Sequence, residues 1–158
     1  MEIQIGVIGA GSCDSEIDSL AEDVGREIAK RGAYLLCGGM EGVMEAACRG
    51  CKKEGGKTIG ILPGPSANEA NPYVDIAIVT DMGHARNAII AASCDAAIAV
   101  GGEYGTLSEI ALSIKNGKPV IRLCSKWDIE GTIPAHSAKE AVDIAFKQIN
   151  SDYIIDIC

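Results

Sequence analysis

Long apolar runs, a surplus of basic residues and the nucleotide-loop consensus motifs are all missing from this sequence, and each absence removes a class of function. The longest apolar stretch, Ala88 to Val100, is interrupted by Asp95 and falls short of the ~20 residues a bilayer span needs, so no membrane helix is expected. Lys and Arg number 14 against 22 Asp and Glu, a formal net charge of -8, which repels a polynucleotide backbone at long range and argues against nucleic-acid binding. Met1-Glu2-Ile3-Gln4 lacks the basic segment of a secretory signal, so the protein is read as cytoplasmic. Two histidines, His84 and His136, are too few for a histidine-rich metal site. Neither G-x-G-x-x-G nor G-x-x-x-x-G-K-[ST] occurs. The first glycine turn has Asp14 where the dinucleotide motif needs its third glycine, which disfavours NAD and P-loop ATP hydrolysis.

What remains is a chain of 158 residues, 47% apolar, with 19 glycines, enough for one compact domain over 1–158 with a core of its own. Seven scattered cysteines (13, 37, 48, 51, 94, 124, 158) read as small core hydrophobes in a reducing compartment. Cys48-Arg49-Gly50-Cys51 has redox or half-zinc spacing, but no second Cys or His pair accompanies it.

The order of elements is clearer. Apolar, β-branched runs at Ile3 to Ile8, Ala33 to Cys37, Thr58 to Leu62, Asp75 to Thr80, Ala96 to Val100 and Val120 to Leu123 read as strands. Helical spacing falls between them at Ser15 to Lys30, Val43 to Lys53, Ala85 to Ser93 and Thr106 to Lys115. Trp127 to Pro134 reads as a connecting loop and Ser137 to Gln148 as a last helix, with Tyr153 to Ile157 an edge strand or docked extension. Strands alternating with helices imply βαβ units in an α/β, Rossmann-like doubly wound fold: a mostly parallel sheet with helices on both faces.

Ligands of such sheets bind outside the carboxyl ends of the strands, near the topological switch point. Three glycine-rich turns follow strands here: Gly9-Ala10-Gly11-Ser12, Gly38-Gly39-Met40-Glu41-Gly42 and Gly101-Gly102-Glu103-Tyr104-Gly105-Thr106. Glycine lets a backbone approach an anion closely, and a helix N-terminus presents unpaired N–H groups worth roughly half a positive charge. Gly9, Gly11, Ser12, Gly38, Gly39, Gly101, Gly102, Gly105 and Thr106 are therefore the candidates for holding a phosphate. Arg86 stands in the first turn of a helix, where the macrodipole disfavours a cation, so it is either a ligand contact or an ordinary surface arginine. Glu109 follows Thr106 by three, which also spells a capping box, a purely structural motif. Ser137 and Glu140 repeat that spacing with no glycine turn beside them.

Gly101-Gly102-Glu103-Tyr104-Gly105-Thr106-Leu107-Ser108-Glu109 resembles the P-G-G-x-G-T-x-x-E signature of the LONELY GUY family, cytokinin-activating phosphoribohydrolases long mislabelled as lysine decarboxylases. His84-Ala85-Arg86-Asn87 resembles that family's M-H-x-R-K segment. The similarity runs from about Ile3 to Leu123. Val100, Asn87 and Gly83 stand where the family has Pro, Lys and Met. The resemblance implies a homodimer or homotetramer, without metal or other cofactor, that cleaves the N-glycosidic bond of a nucleoside 5'-monophosphate. Arg86 and Glu109 would then be the catalytic pair, and Gly102, Gly105 and Thr106 the phosphate cradle. The departures, the short length and Ala85-Arg86-Asn87-Ala88-Ile89-Ile90 also make the chain similar to the molybdenum cofactor carrier proteins. That similarity implies the alternative, a carrier or sensor that binds a phosphorylated ligand without turning it over.

Overall fold

Seven strands form one all-parallel sheet in the computed structural model, which describes residues 1–155. They are β1 (Gln4–Gly9), β2 (Tyr34–Cys37), β3 (Thr58–Leu62), β4 (Ile76–Val79), β5 (Ala96–Val100), β6 (Val120–Leu123) and β7 (Thr132–Pro134). Their order is β4-β3-β2-β1-β5-β6-β7. The α-helices among the described residues are α1 (Ser15–Lys30), α2 (Val43–Lys53), α3 (Asn87–Ser93), α4 (Tyr104–Lys115) and α5 (Ala138–Ile155). This is the α/β doubly wound architecture the alternation implies.

The apolar runs work as strands because both sheet faces are covered. Ile5, Val7, Ile98 and Val100 point into a core shared with α1, α2 and α5. Ile8, Ala97 and Ala99 point the other way, into a core closed by Ile90 of α3 and Ile110 of α4. Asp14 caps α1, its Oδ1 accepting the Ile17 N–H at 2.9 Å. Helices α1 and α2 cross backbone against backbone, since a side chain at Gly25 would overlap the Ala47 carbonyl and one at Gly50 the Glu22 carbonyl. That crossing turns Cys48 and Cys51 into the core. Cys48 Sγ lies 3.5 Å from Cys37 Sγ, and Cys51 Sγ faces the Lys57 carbonyl at 3.6 Å, so the C-x-x-C spacing reflects helix packing.

Four elements differ from the sequence reading. Thr132–Pro134, inside what reads as a loop, pairs with β6 as an edge strand, where Pro134 needs no partner for its missing N–H. The Ala85 helix divides into a 3-10 turn at Gly83–Arg86 and α3 from Asn87. Helix α4 begins at Tyr104, two residues earlier than its first apolar period. Helix α5 runs on through Ile155, so residues 153–155 are helical rather than an edge strand; residues 156 and 157 lie outside the described part.

Strands β1 to β4 build outward in one direction, and β5 returns to the other side of β1. The switch point therefore lies between β1 and β5. Their register pairs Gly9 with Val100, which sets the first and third glycine turns level with each other.

Candidate functional site

The level pair of turns encloses two adjoining clefts of about 400 Å³ each. The first is lined by Gly9, Gly11 and Ser12 from the β1 turn, by Gly105, Thr106 and Glu109 from α4, and by Arg86. The second holds Gly101 and Gly102, with Lys126 at its edge. Ala10, Ser12 and Glu103 belong to both and form the wall between them.

Helix α4 points its N-terminus at these clefts. Glu103 occupies its N-cap position without any side-chain capping bond, so the first-turn N–H groups, which have no intrahelical acceptor, stay available. Thr106 and Glu109 both lie inside the helix, and the capping box their spacing suggests is not formed. The contrast with α5 is direct: there Ser137 Oγ accepts the Glu140 N–H at 3.1 Å. Thr106 is 2% exposed and its Oγ1 is buried with no hydrogen-bond partner. Gly102, at φ 109°, is held so close to it that a Cβ would lie 2.5 Å from the Thr106 methyl, which only glycine tolerates.

Arg86 and Glu109 meet in the first cleft, Nη1 to Oε1 at 3.7 Å, with side chains 11% and 8% exposed. Burial moves both toward neutrality. Glu109 is pushed up to about 7 by burial, only partly offset by Arg86; burial likewise lowers Arg86 from its ordinary value, against the pull of Glu109. Desolvation thus outweighs their mutual attraction. Arg86 Nη1 also donates to Asn87 Oδ1, Asn87 Nδ2 donates to Ser108 Oγ at 3.2 Å, and Ser108 donates to the Gly105 carbonyl at 2.8 Å. This chain ties the arginine to the first turn of α4. Arg86 Nε remains buried and unpartnered. A buried guanidinium and a buried hydroxyl, both with unused hydrogen-bonding capacity, line one cleft at a helix N-terminus, a donor set with the chemistry to bond an oxyanion.

The β2 turn stands apart from these clefts. Gly38 and Gly39 line neither of these two clefts. Gly39 N–H donates to Cys37 Sγ at 3.3 Å, its carbonyl accepts from Asn71 N–H at 2.9 Å, and the Met40 carbonyl accepts from Asn71 Nδ2 at 2.8 Å. The two carbonyls are thus taken up by the loop that follows β3, the Gly39 N–H by the end of β2, and Gly38 packs under Arg86. Sequence reasoning left out Asn87, Met44, His84 and Glu103, which line the first cleft, and Lys126 in the second. His84 and Asn87 lay inside the His84 to Asn87 segment and Glu103 inside the third glycine turn, whereas Met44 and Lys126 carried no signal. Among the described residues, no group of three or more His, Cys, Asp or Glu is placed to hold a metal ion, and no helix is long and apolar enough to cross a membrane.

The family model described as SLOG cluster4 matches residues 2–152. The molybdenum cofactor binding protein of Rippkaea orientalis is similar with a TM-score of 0.89 and 39% identity, over 94% of this chain and 98% of that one. The molybdenum cofactor carrier protein of Chlamydomonas reinhardtii is similar with a TM-score of 0.85 and 37% identity, over 95% and 99%. The cytokinin riboside 5'-monophosphate phosphoribohydrolase of Mycobacterium tuberculosis is 36% identical over 107 residues, 64% of this chain. The match spans 56% of that enzyme's length.

Proposed function

The chain belongs to the SLOG cluster4 family, and from that membership and the chemistry of its cleft we propose that it binds a small phosphorylated ligand bearing a planar heterocycle, a nucleoside monophosphate or a phosphorylated pterin, and holds it as a carrier or sensor. The observation that carries this reading is the unpartnered Thr106 Oγ1 and Arg86 Nε, buried at the N-terminus of α4. A phosphate group satisfies such donors and complements the helix dipole. Gly11, Ser12, Gly102, Gly105 and Thr106 supply the cradle, and Gly9 and Gly101 shape the turns that carry it. The likeness to molybdenum cofactor binding and carrier proteins over nearly the whole chain supports retention of the ligand. A polynucleotide stays outside this reading because of the net charge of -8, and a cytoplasmic setting remains part of it.

A second reading, cleavage of a nucleoside 5'-monophosphate, is favoured by one observation. Glu109 is a buried carboxyl beside Arg86 with its pKa near neutrality, as an acid–base group working at pH 7 requires. In that role it would stabilise oxocarbenium character at the ribose and orient the attacking water. The homodimer or homotetramer belongs to either reading and is supported by edge strand β4, whose Ile76, Ile78 and Val79 are exposed together with nearby Met82.

Titration calorimetry with adenosine monophosphate and with a phosphorylated pterin, combined with chromatography for released base, tests both. Saturable binding without base release supports the carrier. Base release that disappears in Glu109→Gln, while binding persists, supports the hydrolase. Flat titrations with every mononucleotide and phosphorylated pterin would overturn the phosphate pocket itself.

A further inference from the structure

Tyr104 is the first residue of α4 and is 78% exposed. Its ring centroid lies 5.7 Å from that of Trp127, the two planes tilted by 49°. Lys126 Nζ lies 5.3 Å from the Trp127 centroid and lines the second cleft. The sequence holds one Trp, one Phe and four Tyr, and two of these few rings stand together at the rim of the glycine turn. Packing of the loop that follows β6 onto α4 does not account for the pair, because the Tyr104 side chain remains largely in water.

The geometry points to a stacking subsite: Tyr104 and Trp127, which stand outside the second cleft next to its lining residue Lys126, receive the planar ring of the phosphorylated ligand. This rests on the phosphate-binding reading above and adds where the heterocycle goes. The Tyr104 N–H is itself one of the first-turn donors of α4, so a phosphate held there sits within one residue of the exposed ring. Tethering by the phosphate raises the effective concentration of the heterocycle at that ring. Aromatic side chains bind bases through their faces with little sequence demand, and the Lys126 ammonium adds attraction for an anionic ligand. Glu109 lines the first cleft only. A ring laid on Tyr104 and Trp127, which line neither cleft, lies outside the first cleft that holds that carboxyl.

Because Trp127 is the sole tryptophan, its fluorescence reads the subsite directly. Adenosine monophosphate and ribose 5-phosphate share the phosphate and differ in the ring. Adenosine monophosphate is expected to bind about tenfold more tightly and to quench Trp127, whereas ribose 5-phosphate binds without quenching. Tyr104→Ala should remove that tenfold preference and leave ribose 5-phosphate affinity unchanged, and Tyr104→Phe should restore it. An unchanged preference in Tyr104→Ala overturns the stacking subsite while the phosphate pocket stands. Failure of both probes to bind overturns the phosphate pocket, and the subsite with it.

Discussion

Arg86 rests on Gly38. The guanidinium of the first packs against the bare Cα of the second so closely that a Cβ there would overlap Nη2, with Met44 Sδ only 2.7 Å from the same point. Gly38 forms the floor under the cationic side chain of the first cleft. Gly38→Ala should therefore displace Arg86, lower ligand affinity and cost about 1–3 kcal/mol of stability by overpacking. In the double variant Gly38→Ala/Arg86→Ala part of that stability should return, because one of the two crowded partners has gone while Met44 Sδ remains. Urea denaturation of the four forms measures the coupling. Strictly additive losses would show that the contact is unimportant.

Glu109 sets a dependence of stability on pH. Burial raises it to about 7 from an ordinary value of 4.5, so between those values the native state holds a proton that the unfolded chain has released. Its contribution is complete below about pH 4.5 and is lost as pH rises through about 7, a change of roughly 3 kcal/mol. Glu22 acts in the opposite window. Held down to about 2 by hydrogen bonds from Lys53, Arg49 and Arg26, it contributes above pH 4.5 and loses that contribution as pH falls toward 2. Chemical denaturation between pH 5 and 8.5 should show declining stability for the native sequence and a flatter profile for Glu109→Gln. Parallel profiles would place the Glu109 titration outside this range.

The sheet was legible because strands buried on both faces read as unbroken apolar runs, as Ala96 to Val100 does, and the glycine turns marked their carboxyl ends. Three things escaped for physical reasons. The three-residue β7, ending in Pro134, is too short to show a period. Thr106 and Glu109 carry the letters of a capping box, yet the cap falls on Glu103 because the glycine turn tightens into helix two residues sooner. The 3.7 Å approach of Arg86 to Glu109 joins α4 to the turn before α3; spacing within a single element cannot display a contact between two. The tie from the Gly39 and Met40 carbonyls of the second glycine turn to Asn71, 32 residues beyond Gly39, is hidden from spacing in the same way.

Thr106 separates ligand binding from folding. Its Oγ1 is buried without a partner, so Thr106→Val removes an unsatisfied hydroxyl at nearly constant volume and should leave stability unchanged or raise it slightly. The same change removes a hydrogen bond to a charged phosphate, about 1.5–3 kcal/mol or more than tenfold in affinity. Thr106→Ser should bind nearly as the native sequence does. Thermal unfolding and calorimetry on the two variants measure these effects, and a valine variant that binds normally removes Thr106 from the cradle.

Edge strand β4 is the surface on which self-association should be decided. Ile76, Ile78 and Val79 are between two-fifths and just over half exposed, as is Met82 just before the Gly83–Arg86 turn. An edge strand also presents unpaired backbone groups, which a second copy can satisfy isologously while covering the apolar side chains. Ile78→Lys places a charge in that patch. Since Ile78 is already 44% exposed, the substitution should change monomer stability by less than about 1 kcal/mol. It should nevertheless shift sedimentation velocity from an oligomer toward the monomer. If the native sequence sediments as a dimer or tetramer and Ile78→Lys leaves it unaltered, the contact lies on another face, and a charge on the exposed flank of α5 becomes the next substitution to make.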